Sequence, residues 1–168
     1  MVSGLMTRAT AYSPGSTSNV GPGFDCLGIA ITGLGDRVTA ESAGGAGVRV
    51  RSVSDPRIPA DSDKNTAALA ASEVVRRADA LDLGVELEIV KGLPLAGGLG
   101  GSAASAVAGA LATNALLESP LGTEDLLACA LEAEDHVAGR HADNLAPSLL
   151  GGAVVVLGID PVRYARIS

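Results

Sequence analysis

The chain has 168 residues, a formal net charge of −7, and a composition that is 47% hydrophobic but only 2% aromatic. Its length suits one compact domain of roughly 100–200 residues. The apolar share excludes wholesale disorder, and the acidic balance excludes a nucleic-acid partner, which needs clustered Lys and Arg.

Residues 1–12 lack the apolar run of a signal peptide. Four short β-compatible runs follow one another at 7–12, 26–32, 37–41 and 48–53, separated by Gly and Pro clusters. Residues 64–81 read as a helix, with Asp61 to Asp63 as choices of N-cap. Residues 85–90 alternate apolar and acidic side chains, the period-two pattern of a strand. A Gly-rich loop over 91–101 leads into a helix over 102–117. That helix is Ala-rich, interrupted by Thr113 and Asn114, and too short to span a bilayer. A further helix runs from the cap Thr123 to 137, with Glu124 and Asp125 in its favourable first turn. Residues 144–150 form a short helix ended by Gly151-Gly152, residues 153–157 a buried strand, and residues 162–168 the start of another element. With no Trp, one Phe and 22 Gly, the core is made of Ala, Val, Leu and Ile. Cys26 and Cys129 are too few for a disulfide framework or a four-thiolate metal site and read as reduced core residues. The pattern is that of an α+β cytoplasmic protein without a membrane partner.

The segment richest in chemistry is Pro94-Leu95-Ala96-Gly97-Gly98-Leu99-Gly100-Gly101-Ser102-Ala103-Ala104. It lies between a strand and a helix of small residues. Amides at a helix N-terminus form an anion site, and glycines let them approach phosphate oxygens closely. The plain alternative is a flexible connector. A Walker A loop is excluded because no Lys follows Gly101. Residues 98–103 formally match G-x-G-x-x-G/A, but seven residues separate Val90 from Gly98, and the next helix leads into another helix.

This segment resembles P-x-x-x-G-L-G-S-S-A-A, the phosphate loop of the GHMP kinases, with Gly101 in place of the first Ser. Within that superfamily, Ser16-Thr17-Ser18-Asn19-Val20-Gly21-Pro22-Gly23-Phe24-Asp25-Cys26-Leu27-Gly28 is similar to the N-terminal signature of the homoserine kinases. His141-Ala142-Asp143-Asn144-Leu145-Ala146-Pro147 is similar to their H-x-D-N-x-A-P segment. The three motifs stand in the family's order.

The resemblance implies a ribosomal-protein-S5-domain-2-like α+β fold with a left-handed βαβ unit. It implies an ATP-binding domain over 1–158, with 159–168 opening a second, C-terminal domain. The reaction it implies is transfer of the γ-phosphoryl of Mg-ATP to the side-chain hydroxyl of L-homoserine, in threonine biosynthesis. Residues 94–104 would cradle the phosphates, and Asn65 resembles the family's adenine-contacting Asn, or else simply opens a helix. Asn19 and Asp25 match substrate-contacting positions, where a carboxylate suits an ammonium and an amide suits a hydroxyl or carboxylate. Asn144 matches a second substrate Asn near the accepting hydroxyl and also suits a helix N-cap.

Ser102 and Glu134 would hold Mg²⁺. The helical phase supports Glu134, because Leu127, Ala130, Leu131 and Glu134 form one inward stripe and a buried carboxylate needs a partner such as a hard cation. Glu132, on the other face, stays open as the alternative. His136 and His141 read as no metal site, Asp143 as structural or as a secondary base candidate, and a homodimer is left open.

Overall fold

The computed structural model describes residues 6–167. Residues 1–5 of the segment read as lacking a signal sequence, and Ser168 of the expected tail, lie outside the described residues. Two long strands organise the rest: β1 over Arg8–Ser18 and β2 over Leu27–Ala43. The expected strand 7–12 therefore continues through Pro14 and Gly15, and the expected strands 26–32 and 37–41 are one. The antiparallel register runs from Arg8↔Glu41 to Ser18↔Gly28 and shifts between Pro14↔Gly35 and Ser16↔Ala30. That irregularity absorbs Pro14 on one strand and the left-handed Gly33 on the other, so neither ends its strand.

β2 takes β1 along one edge. Along the other, Arg37–Ala43 pair with β4 (Gly84–Val90), while Leu27–Ile29 pair with β5 (Ala153–Ile159). β3 (Gly47–Val53) lies parallel to β4, and β6 (Val162–Ile167) lies antiparallel to β5. The order is β3-β4-β2-β5-β6, with β1 on β2. β6, which falls within the residues 159–168 expected to open a second domain, is the edge strand beside β5.

Among the described residues there are four α-helices: α1 (Thr66–Arg77), α2 (Gly101–Asn114) and α4 (Leu145–Leu150) pack on the sheet, and α3 (Thr123–Asp135) packs chiefly on α1 and α2. Several ends differ from expectation for local reasons. Asp61 caps a separate 3-10 turn over Ser62–Lys64, and Asn65 caps α1. α1 stops before Asp79, whose φ is 54°. α2 ends at Asn114, whose side chain bonds both the N–H and the C=O of Leu121. Thr123 is the first residue of α3 rather than its cap, which is Gly122.

The Ala-rich α2 is buried nearly all round, as a central helix must be. A Cβ at Gly109 would lie 2.5 Å from the Ala67 carbonyl oxygen, so glycine there is what lets α1 and α2 approach. Val38, Ala40, Val85, Leu87 and Ile89 face the helices. The opposite face of that half of the sheet carries Arg51, paired with Glu41, Glu86 and Glu88. This alternation explains why β4 was readable from its period of two. Cys129 is buried but Cys26 only half-buried, a correction to the expectation that both are core residues. Among the described residues, no helix is long and apolar enough to cross a membrane.

Candidate active site

The loop between β4 and α2 lines a cleft of about 460 Å³, within the usual size of small-molecule sites. Its shape depends on left-handed backbone at Ala96, Gly98 and Gly100, with φ of 57°, 67° and 62°. Gly100 is the residue before α2, and a Cβ on it would stand 2.4 Å from Ser16 Oγ and 3.0 Å from Asn144 Oδ1. Only glycine fits there. Gly101 differs, since its φ is ordinary and a Cβ would meet only Lys91 Nζ, at 3.5 Å. The residues 94–102 expected to cradle phosphates all line the cleft, while Ala103 and Ala104 lie in the core.

Ser102 sits in the first turn of α2, and its hydroxyl donates to Glu134 Oε1 at 2.7 Å. Glu134 is buried on the inward stripe of α3, as its phase predicts. Its other oxygen, Oε2, is buried without a hydrogen-bond partner. Burial pushes the Glu134 carboxyl up, partly offset by the Ser102 hydrogen bond. Glu132 instead points outward and pairs with Arg140 at 2.9 Å, so the geometry favours Glu134 of the two. One buried carboxylate with an unused oxygen, bonded to a hydroxyl that lines the cleft, fits Mg²⁺, which usually takes one or two carboxylates and completes its shell with phosphates and water. Among the described residues, no group of three or more His, Cys, Asp or Glu could hold a metal by itself.

Asn144 was expected to contact substrate or to cap α4. Its side chain does not cap: Oδ1 accepts from Ser16 Oγ at 2.9 Å, and Nδ2 donates to Ser18 Oγ at 2.9 Å. Ser18 Oγ also accepts from Asn19 Nδ2 at 3.3 Å, and Asn19 Oδ1 accepts from the Asp25 N–H at 3.1 Å. Asn19 and Asp25 both hold left-handed backbone, at φ 59° and 56°. Two non-glycine residues in that region, linked to each other, are the kind of strain that collects at functional sites. β1 thus strings Asn19, Asp25 and Asn144 onto one hydrogen-bonded path. The path joins the Gly-rich loop where the Ser16 N–H donates to the Leu99 carbonyl at 3.1 Å.

Sequence reasoning missed three contributors. Ser16 and Ser18 stand in the same segment as Asn19 and Asp25, where nothing in their residue type marks a role. His141, which fits no metal motif in the sequence, has its Nδ1 3.8 Å from Asp25 Oδ1. Asp143 is buried and accepts the Asn144 N–H at 3.1 Å. Asn65 lines the cleft, but its amide is engaged: Oδ1 caps α1 through Ala67 and Ala68, and Nδ2 donates to the Pro59 carbonyl at 2.7 Å.

The sequence model for the GHMP kinases N terminal domain matches residues 65–152. A homoserine kinase of Xanthomonas campestris pv. campestris is 44% identical over 153 residues, covering 89% of this chain and 47% of the relative. One from Methanopyrus kandleri is 47% identical over 144 residues, covering 85% and 46%. The chain spans about half the length of the curated relatives it matches. The crystal structure of homoserine kinase from Cytophaga hutchinsonii superposes with a TM-score of 0.91 at 37% identity, covering 99% of this chain and 54% of that one. At 16% identity, Lactococcus lactis galactokinase complexed with galactose shares the fold alone, at a TM-score of 0.75. The matched family and the phosphate-loop geometry agree: this chain belongs to the GHMP kinases, whose N-terminal domain it carries.

Proposed function

We propose that this chain is the nucleotide-binding part of a homoserine kinase, transferring the γ-phosphoryl of ATP to the side-chain hydroxyl of L-homoserine. The observation that carries the reading is the Ser102–Glu134 pair at the foot of the phosphate loop, with Glu134 Oε2 buried and unpartnered. Identities of 44–47% to homoserine kinases over most of the chain support that substrate over other alcohols.

In this reading the amides of 96–102 and the N-terminus of α2 receive the phosphates, while the apolar wall at Ile58 and Pro59 receives the base beside Asn65. Ser102 and Glu134 would hold Mg²⁺, which when bound would neutralise charge on the phosphates. Asp25 takes the homoserine ammonium, and Asn19 and Asn144 orient its polar ends. The homoserine hydroxyl oxygen forms a bond to the γ-phosphorus as the bond to the bridging oxygen breaks and ADP departs with the electron pair. The hydroxyl proton passes to an oxygen of the transferred phosphoryl group and from there to water, and little covalent work falls to the protein, so alignment dominates. The chain works in the cytoplasm, as one part of threonine biosynthesis, and a homodimer is its simplest symmetric assembly.

The test measures ADP release from Mg-ATP with L-homoserine, with mevalonate and with galactose. Homoserine-dependent release alone is expected. Release with another alcohol would assign a different GHMP activity, and Mg-ATP binding without any release would make the chain a non-catalytic nucleotide-binding module.

A further inference from the structure

Beneath the loop lies a buried polar cluster that the proposed reaction does not use. Asp36, on β2, is fully buried. Its Oδ1 accepts the N–H groups of Gly92 and Leu93, at 3.1 and 3.3 Å, where the loop leaves β4. Its Oδ2 accepts the Ser105 hydroxyl at 2.7 Å and the Lys91 ammonium. That ammonium, itself almost wholly buried, also donates to the Gly101 carbonyl at 2.7 Å and to Ser105 Oγ at 2.9 Å. All three ammonium hydrogens are therefore engaged.

We propose that Asp36 is a positioning residue for nucleotide phosphates, one carboxylate that clips together both ends of the Gly-rich loop. It grips the start of the loop directly, at Gly92 and Leu93, and the end through Lys91 at Gly101. The inference rests on the nucleotide reading above. A buried ion pair is a poor device for stability alone, because desolvation offsets the attraction. Here the pair and its hydrogen bonds converge on the two ends of a loop with three left-handed residues and no strand pairing of its own. Fixing the ends holds the amides in their receiving arrangement before ligand arrives, which is what preorganisation requires. Lys91 also lines the cleft, so its placement sets the charge at the cradle's edge.

The test compares Asp36→Asn with the unchanged chain in two measurements. In calorimetry, affinity for ATP and ADP should fall roughly tenfold while affinity for adenosine, which has no phosphate, is unchanged. In amide exchange without nucleotide, Gly92 and Leu93 should exchange roughly tenfold faster while the α3 amides do not change. A general structural role would weaken all three ligands alike and quicken exchange throughout, and that result overturns the proposal. So does a folded variant with the original ATP-to-adenosine ratio and the original exchange. Should Asp36→Asn not fold, Ser105→Ala removes one partner each from Asp36 and Lys91. It should shift the same ratio about threefold, and an unshifted ratio overturns the proposal. If the unchanged chain binds no ATP, the nucleotide reading falls, and the exchange of Gly92 and Leu93 alone decides the clip.

Discussion

The Ser102 hydroxyl satisfies one oxygen of Glu134 and leaves the other buried without a partner. An incomplete carboxylate in an otherwise well-satisfied interior is a cost to the isolated fold and an asset to a cation site.

Glu134→Gln tests that cost. Burial raises the Glu134 carboxyl above its ordinary value in the folded chain, so the folded form binds its proton more tightly than the unfolded form. Its stabilising contribution is full below the ordinary carboxyl range and is lost as pH rises through the raised value. The Gln variant lacks this titration. Its melting temperature should match the unchanged chain in acid and exceed it at neutral pH by a few degrees, about 1–2 kcal/mol. Its Mg-ATP affinity should fall. A pH-independent difference in melting temperature would contradict the assignment.

Gly100→Ala tests the joint between loop and β1. The left-handed backbone and the 2.4 Å approach to Ser16 Oγ together should cost about 2–4 kcal/mol in urea unfolding, with nucleotide binding lost. A loss below about 1 kcal/mol would mean that the loop has another conformation.

Gly101→Ser separates two glycines that look alike in the sequence. Space beside Lys91 Nζ is ordinary and the backbone unstrained, so this substitution should fold normally and keep or tighten Mg-ATP binding in calorimetry. A large loss of affinity would count against the loop assignment.

Asn144→Ala removes an acceptor from Ser16 and a donor from Ser18. The expected loss is about 1–3 kcal/mol by chemical denaturation. Turnover with homoserine should drop further than ATP affinity, because Asn144 stands on the path to Asn19 rather than in the cleft. Equal losses in both would place its role in the loop alone.

Much of this site could be read from residue order because its parts are local. The period of β4, the glycines before α2 and the phase of Glu134 on α3 each follow from a few neighbouring residues. What stayed hidden depends on partners far apart in the chain. Pro14 and Gly15 look like a break in β1 until the irregular register with β2 accommodates them. Asp36 and Lys91 belong to no motif, and only the fold brings together these residues 55 apart. Asn144 has the composition of a helix cap, but Ser16 and Ser18, 128 and 126 positions earlier, claim its amide.

The Mg-ATP site is tested most directly by a calorimetric titration of the chain with Mg-ATP, repeated without Mg²⁺ and with Glu134→Gln. Saturable binding is expected at one site, weakening roughly tenfold when either the metal or the carboxylate is removed, with no further loss when both are. Binding that is indifferent to Mg²⁺ and to Glu134, or no binding at about 1 mM nucleotide, would contradict it.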